Sequence, residues 1–314
     1  MSYNPVKEVL SAISAEVWKT IKRQKFYGLT PSEEAITKER VIIPLHDIPS
    51  KYLTTKEFKK HEEGLNGADW EWVFLSKERD QCFSIRVQAK VLNPNDLVYH
   101  ELHYKKKDGR YQSDVLIEEA KKSNALPLYC LYNYFENIEK DDLWTCHCNY
   151  SAYDYYGCTL IDAAKVRAFR ADNRKSLDDL KSYMLPMHCA ITCKMDNSLS
   201  LPERVRQYWN VVMGNERPPE KQRERDDSVS YDMSIDTDSQ RLLKKQETID
   251  FLFKTDSDSN IPSDIVDPIA RVNSLIPPVV SGIPEHIQHI LRGEEELVDA
   301  EKLNLKAITI FFDE

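Results

Sequence analysis

The chain has 314 residues, 41% of them hydrophobic and 30% charged, enough to build the core of one elaborated domain or two small ones. No apolar run reaches the length of a membrane span, and Met1-Ser2-Tyr3-Asn4-Pro5 lacks the basic-then-apolar plan of a signal peptide, so a soluble cytoplasmic protein with no membrane partner is expected. A formal net charge of -9 excludes a global positive field, so a nucleic-acid partner would need a local basic patch.

Val6, Val9, Leu10, Ile13, Val17 and Ile21 recur at three- and four-residue intervals, which predicts an amphipathic helix over 6–27 closed by Gly28. Thr30-Pro31-Ser32-Glu33 reads as a capping box that starts a second helix, with Glu33 used in capping and Glu34 left to point elsewhere. Residues 40–45 are apolar and β-branched and could continue that helix or form a first strand, the strand being the preferred reading. The organising stretch follows. Gly67-Ala68-Asp69-Trp70-Glu71-Trp72-Val73-Phe74-Leu75 and Ser84-Ile85-Arg86-Val87-Gln88-Ala89-Lys90-Val91, with a charged turn between, predict two neighbouring strands. Because strand side chains alternate, Asp69 and Glu71 share one face, as do Gln88 and Lys90, while Trp70, Trp72, Val87 and Ala89 face the other way.

Residues 98–104 read as a strand leading into the basic loop Lys105-Lys106-Lys107-Asp108-Gly109-Arg110. Such a run is ordinarily a solvated turn, with phosphate contact the alternative. Ser113 is placed to cap a helix burying Val115, Leu116 and Ala120, and 126–134 resembles a buried strand, which gives the first 134 residues an α/β order. Beyond lie Trp144-Thr145-Cys146-His147-Cys148, a tyrosine cluster from Tyr153 to Tyr156, a helix over 162–169, and His188-Cys189 with Cys193. Seven cysteines, an odd number, argue for free thiols in a reducing compartment; Cys146, Cys148, Cys189 and Cys193 are read as buried thiols, with one zinc site as the alternative. Residues 217–248 have the composition of a flexible insertion, 284–298 regain helical periodicity, and 306–312 form a terminal strand. The expected organisation is a core at 1–134, a cysteine- and tyrosine-rich extension at 135–216, the insertion at 217–248 and a C-terminal helix and strand at 249–314.

Glu34 on a helix, Asp69 at a strand start and Gln88-Ala89-Lys90 on the next strand resemble the three motifs of the PD-(D/E)XK nuclease superfamily, in the Mrr-like variant with glutamine as the second ligand. The whole chain also resembles a bacterial family of unknown function. The resemblance implies a restriction-endonuclease-like α/β core, a mixed sheet flanked by helices, with helical and irregular C-terminal elaborations. It implies Mg²⁺ or Mn²⁺ held by Asp69, Gln88 and the carbonyl of Ala89, with Glu34 approaching from the helix and Glu71 able to compensate for the uncharged Gln88. Lys90 would steady charge growing on a phosphate. The implied activity is metal-dependent phosphodiester hydrolysis of nucleic acid, with DNA expected, in a setting such as phage defence, and a homodimer is compatible with it. Two departures stand out: no proline precedes Asp69, and Gln88 brings no charge. The rival reading is a catalytically silent nuclease fold that binds nucleic acid or protein. On the bland reading Glu71 and Lys90 are merely a cross-strand ion pair on a solvated face.

Overall fold

The paired strands at the middle of the sequence are also the middle of a sheet. The computed structural model describes residues 5–58, 67–138, 143, 152–192, 198–214, 276–299, 303 and 305–313. Its strands are β1 (Leu53–Glu57), β2 (Trp70–Ser76), β3 (Gln81–Val91), β4 (Ala125–Tyr132), β5 (Cys158–Asp162), β6 (Leu185–Pro186), β7 (Val280–Ser281) and β8 (Ala307–Phe312). They form one eight-stranded sheet in the order β1-β8-β2-β3-β4-β5-β6, with β7 pairing the start of β3. β2 and β3 are antiparallel, β3 and β4 parallel, and β8 is inserted parallel to β2 and antiparallel to β1, so the sheet is mixed. The insertion of β8 places the last strand of the chain beside its central pair.

Two contrasting faces follow from the register. Trp70 stands opposite Val87 and Trp72 opposite Ile85, as alternation requires, and on that face Phe74 stacks on Phe311 with ring centroids 5.0 Å apart. The other face changes along the strands. At one end Val73, Leu75, Cys82, Ile308 and Ile310 form an apolar cluster with Ile287 and Ile290 of the helix Glu285–Arg292. In the middle Glu71 stands opposite Arg86, which donates to its carboxylate at 3.0 Å and to the Glu119 carbonyl, at 3.4 Å, of the helix Gln112–Lys122. At the far end, where β3 and β4 finish and β2 and β8 begin, the face becomes charged.

The first helix, Pro5–Phe26, buries Val6, Leu10, Ile13, Val17 and Ile21 of the anticipated stripe, with Val9 half-buried, and is followed by Gly28, whose φ of +67° suits glycine. The region read as a strand at 40–45 is helical: Glu33–Ile36 is α-helix, Thr37–Ile42 continues as a π-helical segment and Ile43–His46 returns to α-helix. Its β-branched Val41 and Ile42 are buried on the helix's inner side, so the apolar run reports burial rather than extension. Residues 98–104 form turns, with Tyr99 and Leu102 buried and the Leu102 N–H bonded to the Tyr99 carbonyl. β1 carries no strand pattern in the sequence, because Leu53-Thr54-Thr55-Lys56-Glu57 holds a single apolar residue, in keeping with a sheet edge. Residues 144–148, Cys193 and 217–248 lie outside the described residues.

Glu71 and Arg86 are 2% and 7% exposed, so removing one partner leaves a buried charge alone. Arg86→Met is expected to cost about 3–5 kcal/mol of unfolding free energy, and adding Glu71→Leu to recover most of it, as measured by urea unfolding.

Candidate functional site

Asp69 sits immediately before β2 and is fixed by its backbone on both sides: its N–H donates to the Val87 carbonyl and its carbonyl accepts from the Lys306 N–H, both at 2.7 Å. Gly67, two residues earlier, has φ +72°, and a Cβ there would lie 2.8 Å from the Leu116 amide nitrogen, so the approach to the site requires glycine. With the backbone so held, the carboxylate points along the charged end of the sheet face. Its Oδ2 accepts from Gln88 Nε2 at 2.6 Å and from the Ala89 N–H at 2.8 Å, and its Oδ1 meets Lys306 Nζ at 2.5 Å. Gln88 Nε2 donates as well to the Ala89 carbonyl at 3.1 Å. Two acceptors on one amide end require the NH₂ group there. An uncharged donor group therefore lies between two hard oxygens, Asp69 Oδ2 and Ala89 O.

Lys90, 5% exposed, points to the same face and meets Glu33 Oε2 at 3.4 Å. The helix carboxylate at Lys90 is thus Glu33 and not Glu34. The N-cap is Ser32, whose Oγ accepts from the Ala35 N–H at 3.3 Å, so the helix begins two residues later than the capping box at Thr30 would have it. Glu33 becomes the first helical residue and is released from capping; Glu34 is exposed, close enough for its charge to act on Lys306. Thr37, one turn on, bonds Tyr132 at 2.8 Å on the opposite sheet face, so this helical segment straddles the ends of β3 and β4.

Burial pushes the Glu33 carboxyl up to about 7; Lys90 and Lys306 pull it down and Asp69 pushes it up. Burial by itself would lower the Lys306 ammonium, but the charge and hydrogen bond of Asp69, with Glu33 and Glu34, raise it on balance. Tyr129, opposite Gln88 on β4, is fully buried; burial first, then Glu33, Asp114 and Asp69, hold its phenol proton firmly. Its hydroxyl has no hydrogen-bond partner among the described residues.

The structure thus gathers Asp69, Gln88, Ala89 and Lys90, and adds Glu33, Lys306 and Tyr129, which sequence reasoning did not single out. Glu71 does not join them, nor does it pair with Lys90. The register that sets Asp69 beside Gln88 sets Glu71 beside Arg86, one step deeper. Lys105, Lys106 and Lys107 lie on a turn in which the Lys106 N–H donates to the Arg110 carbonyl; the turn leads into the helix that touches Gly67. Lys105 Nζ lies 5.7 Å from the Tyr111 ring. Cys82, Cys130, Cys158 and Cys189 are buried free thiols, and no group of three or more His, Cys, Asp or Glu placed to hold a metal occurs among the described residues. Cys146 and Cys148 lie outside them. No helix among the described residues is long and apolar enough to cross a membrane.

A mixed α/β fold, with an eight-stranded sheet flanked by helices and consistent with a restriction-endonuclease-like core, carries this cluster at its strand ends. The chain belongs to DUF6615, a family of unknown function, which it matches over residues 6–312. No curated protein matches it.

A carboxyl whose folded pKa lies above its ordinary 4.5 binds its proton more tightly in the folded state, so its ionisation removes stability as pH rises from about 4.5 through about 7. Glu33→Gln abolishes that loss. The unfolding free energy of the variant relative to wild type is expected to increase between about pH 5 and pH 8 in urea titrations; a constant difference would contradict the placement of Glu33.

Proposed function

We propose that this chain is a divalent-metal-dependent phosphodiesterase acting on nucleic acid, with DNA as the expected substrate. The observation that carries the reading is the convergence of Asp69, the Gln88 amide, the Ala89 carbonyl and Lys90 at the end of one sheet face, with a helix carboxylate on Lys90. The resemblance to the PD-(D/E)XK superfamily adds to it and orders the same residues. The donor chemistry fits Mg²⁺ or Mn²⁺: a carboxylate, a main-chain carbonyl and an amide whose oxygen takes the place of its nitrogen on turning over. Asp69, Gln88 and Ala89 would hold the ion, which when bound supplies Lewis acidity and makes water more acidic. Lys90 supplies an ammonium held by Glu33 in a buried setting, where it steadies negative charge building on a phosphate oxygen. The basic turn at Lys105, Lys106 and Lys107 offers a local contact for the substrate backbone on a chain whose net charge is otherwise unfavourable.

A second reading, a silent nuclease fold that binds without cleaving, is favoured by one observation: both carboxylate oxygens of Asp69 already have donors within the protein. Cleavage of DNA by the full chain with Mg²⁺ or Mn²⁺ separates the two. Asp69→Asn and Lys90→Met are each expected to lower the rate by at least about 100-fold while retaining the wild-type circular dichroism spectrum. Equal rates in wild type and both variants would remove the assignment. Nucleic-acid binding by wild type without cleavage would establish the second reading.

A further inference from the structure

Lys306 is the feature that neither the motif nor the proposed chemistry absorbs. It comes from the residue before β8, 237 positions after Asp69, and reaches Asp69 twice, through its N–H to the Asp69 carbonyl at 2.7 Å and through Nζ to Oδ1 at 2.5 Å. The two ends of this contact differ in freedom. The Asp69 side chain is 8% exposed and tied to β3, whereas the Lys306 side chain is 34% exposed and sits on a flexible four-carbon stem. Around them stand two carboxyl groups, Asp69 and Glu33, and two ammoniums, Lys306 and Lys90. A divalent ion entering with both ammoniums in place would leave the cluster strongly positive in a poorly hydrated setting.

We propose that Lys306 is the resident cation of the site: its ammonium and a divalent ion compete for Asp69, so that the ion binds weakly until a phosphodiester arrives to take the displaced ammonium. This rests on the reading of Asp69, Gln88 and Ala89 as an ion site, and it assigns Lys306 a positioning and phosphate-binding role. The Gln88 amide NH₂, lying between Asp69 Oδ2 and Ala89 O, is the neutral counterpart of the same arrangement. No bond is made or broken; the exchange is of one cation for another on a carboxylate, with the ammonium moving to the phosphate oxygens.

Calorimetric titration of Mn²⁺ into the full chain tests the proposal without reference to catalysis. In the absence of nucleic acid, Lys306→Met is expected to bind Mn²⁺ about tenfold or more tightly than wild type, because the competing charge is gone. Lys306→Gln retains an N–H donor for Asp69 without charge and is expected to tighten binding likewise; it decides the matter should the methionine variant not fold. Adding a non-cleavable DNA duplex is expected to raise Mn²⁺ affinity more in wild type than in either variant. Wild-type binding that neither variant tightens would overturn the role of Lys306 and leave the ion site standing. Failure of wild type and both variants to bind Mn²⁺ would overturn the ion site and this inference together.

Discussion

The carboxylate of Asp69 is the junction on which this molecule's site depends. A buried carboxylate is costly unless each oxygen finds a donor, and here the donors come from two places, β3 through Gln88 and Ala89 and the approach to β8 through Lys306, with β2 held between them. Asp69 and Gln88 meet through the pairing of β2 with β3, and Lys306, 237 positions after Asp69, joins them only through the insertion of β8 beside β2. The same backbone bonds that continue the sheet on either side of Asp69 therefore also aim its side chain. Fold and site are one construction at this point.

The face that carries Asp69 shows how a sheet can pass from core to chemistry within a few residues. Under the helix Glu285–Arg292 it is apolar and buried; at Glu71 and Arg86 it holds an ion pair; beyond them, at the strand ends, it holds two carboxyl groups and two ammoniums. At the strand ends the Lys306 and Glu33 side chains reach solvent, 34% and 25% exposed, where a ligand can exchange for an internal partner, whereas both members of the deeper pair are buried. That gradient explains why Glu71, although on the same face as Asp69, serves structure instead of the candidate site.

Much of this was legible in the sequence because period-two alternation is a local property. Asp69, Gln88 and Lys90 could be put on one face, and the tryptophans on the other, from residues 67–91 alone, and the register agrees. The α/β class was legible for the same reason. Three things were not. The helix that supplies Glu33 starts at Ser32 rather than Thr30, and since either residue can cap, a displacement of two positions exchanged the roles of Glu33 and Glu34. Val41 and Ile42 looked strand-like because β-branched residues suit strands, yet the helix has an inner side that buries them. Lys306 carries no local signal: a lysine before an apolar run is common, and only the long-range placement of β8 makes it a neighbour of Asp69.

The central claim is that the oxygens of Asp69 and Ala89 form a cation position filled, in the free protein, by groups of the chain itself. Crystals soaked in Mn²⁺ and measured for anomalous scattering test it most directly. The account predicts a peak against the Asp69 carboxylate and the Ala89 carbonyl, with the Gln88 amide turned over and Lys306 Nζ withdrawn from Oδ1. Lys306 and Gln88 Nε2 remaining on Asp69 at saturating Mn²⁺, with no peak beside them, would contradict it.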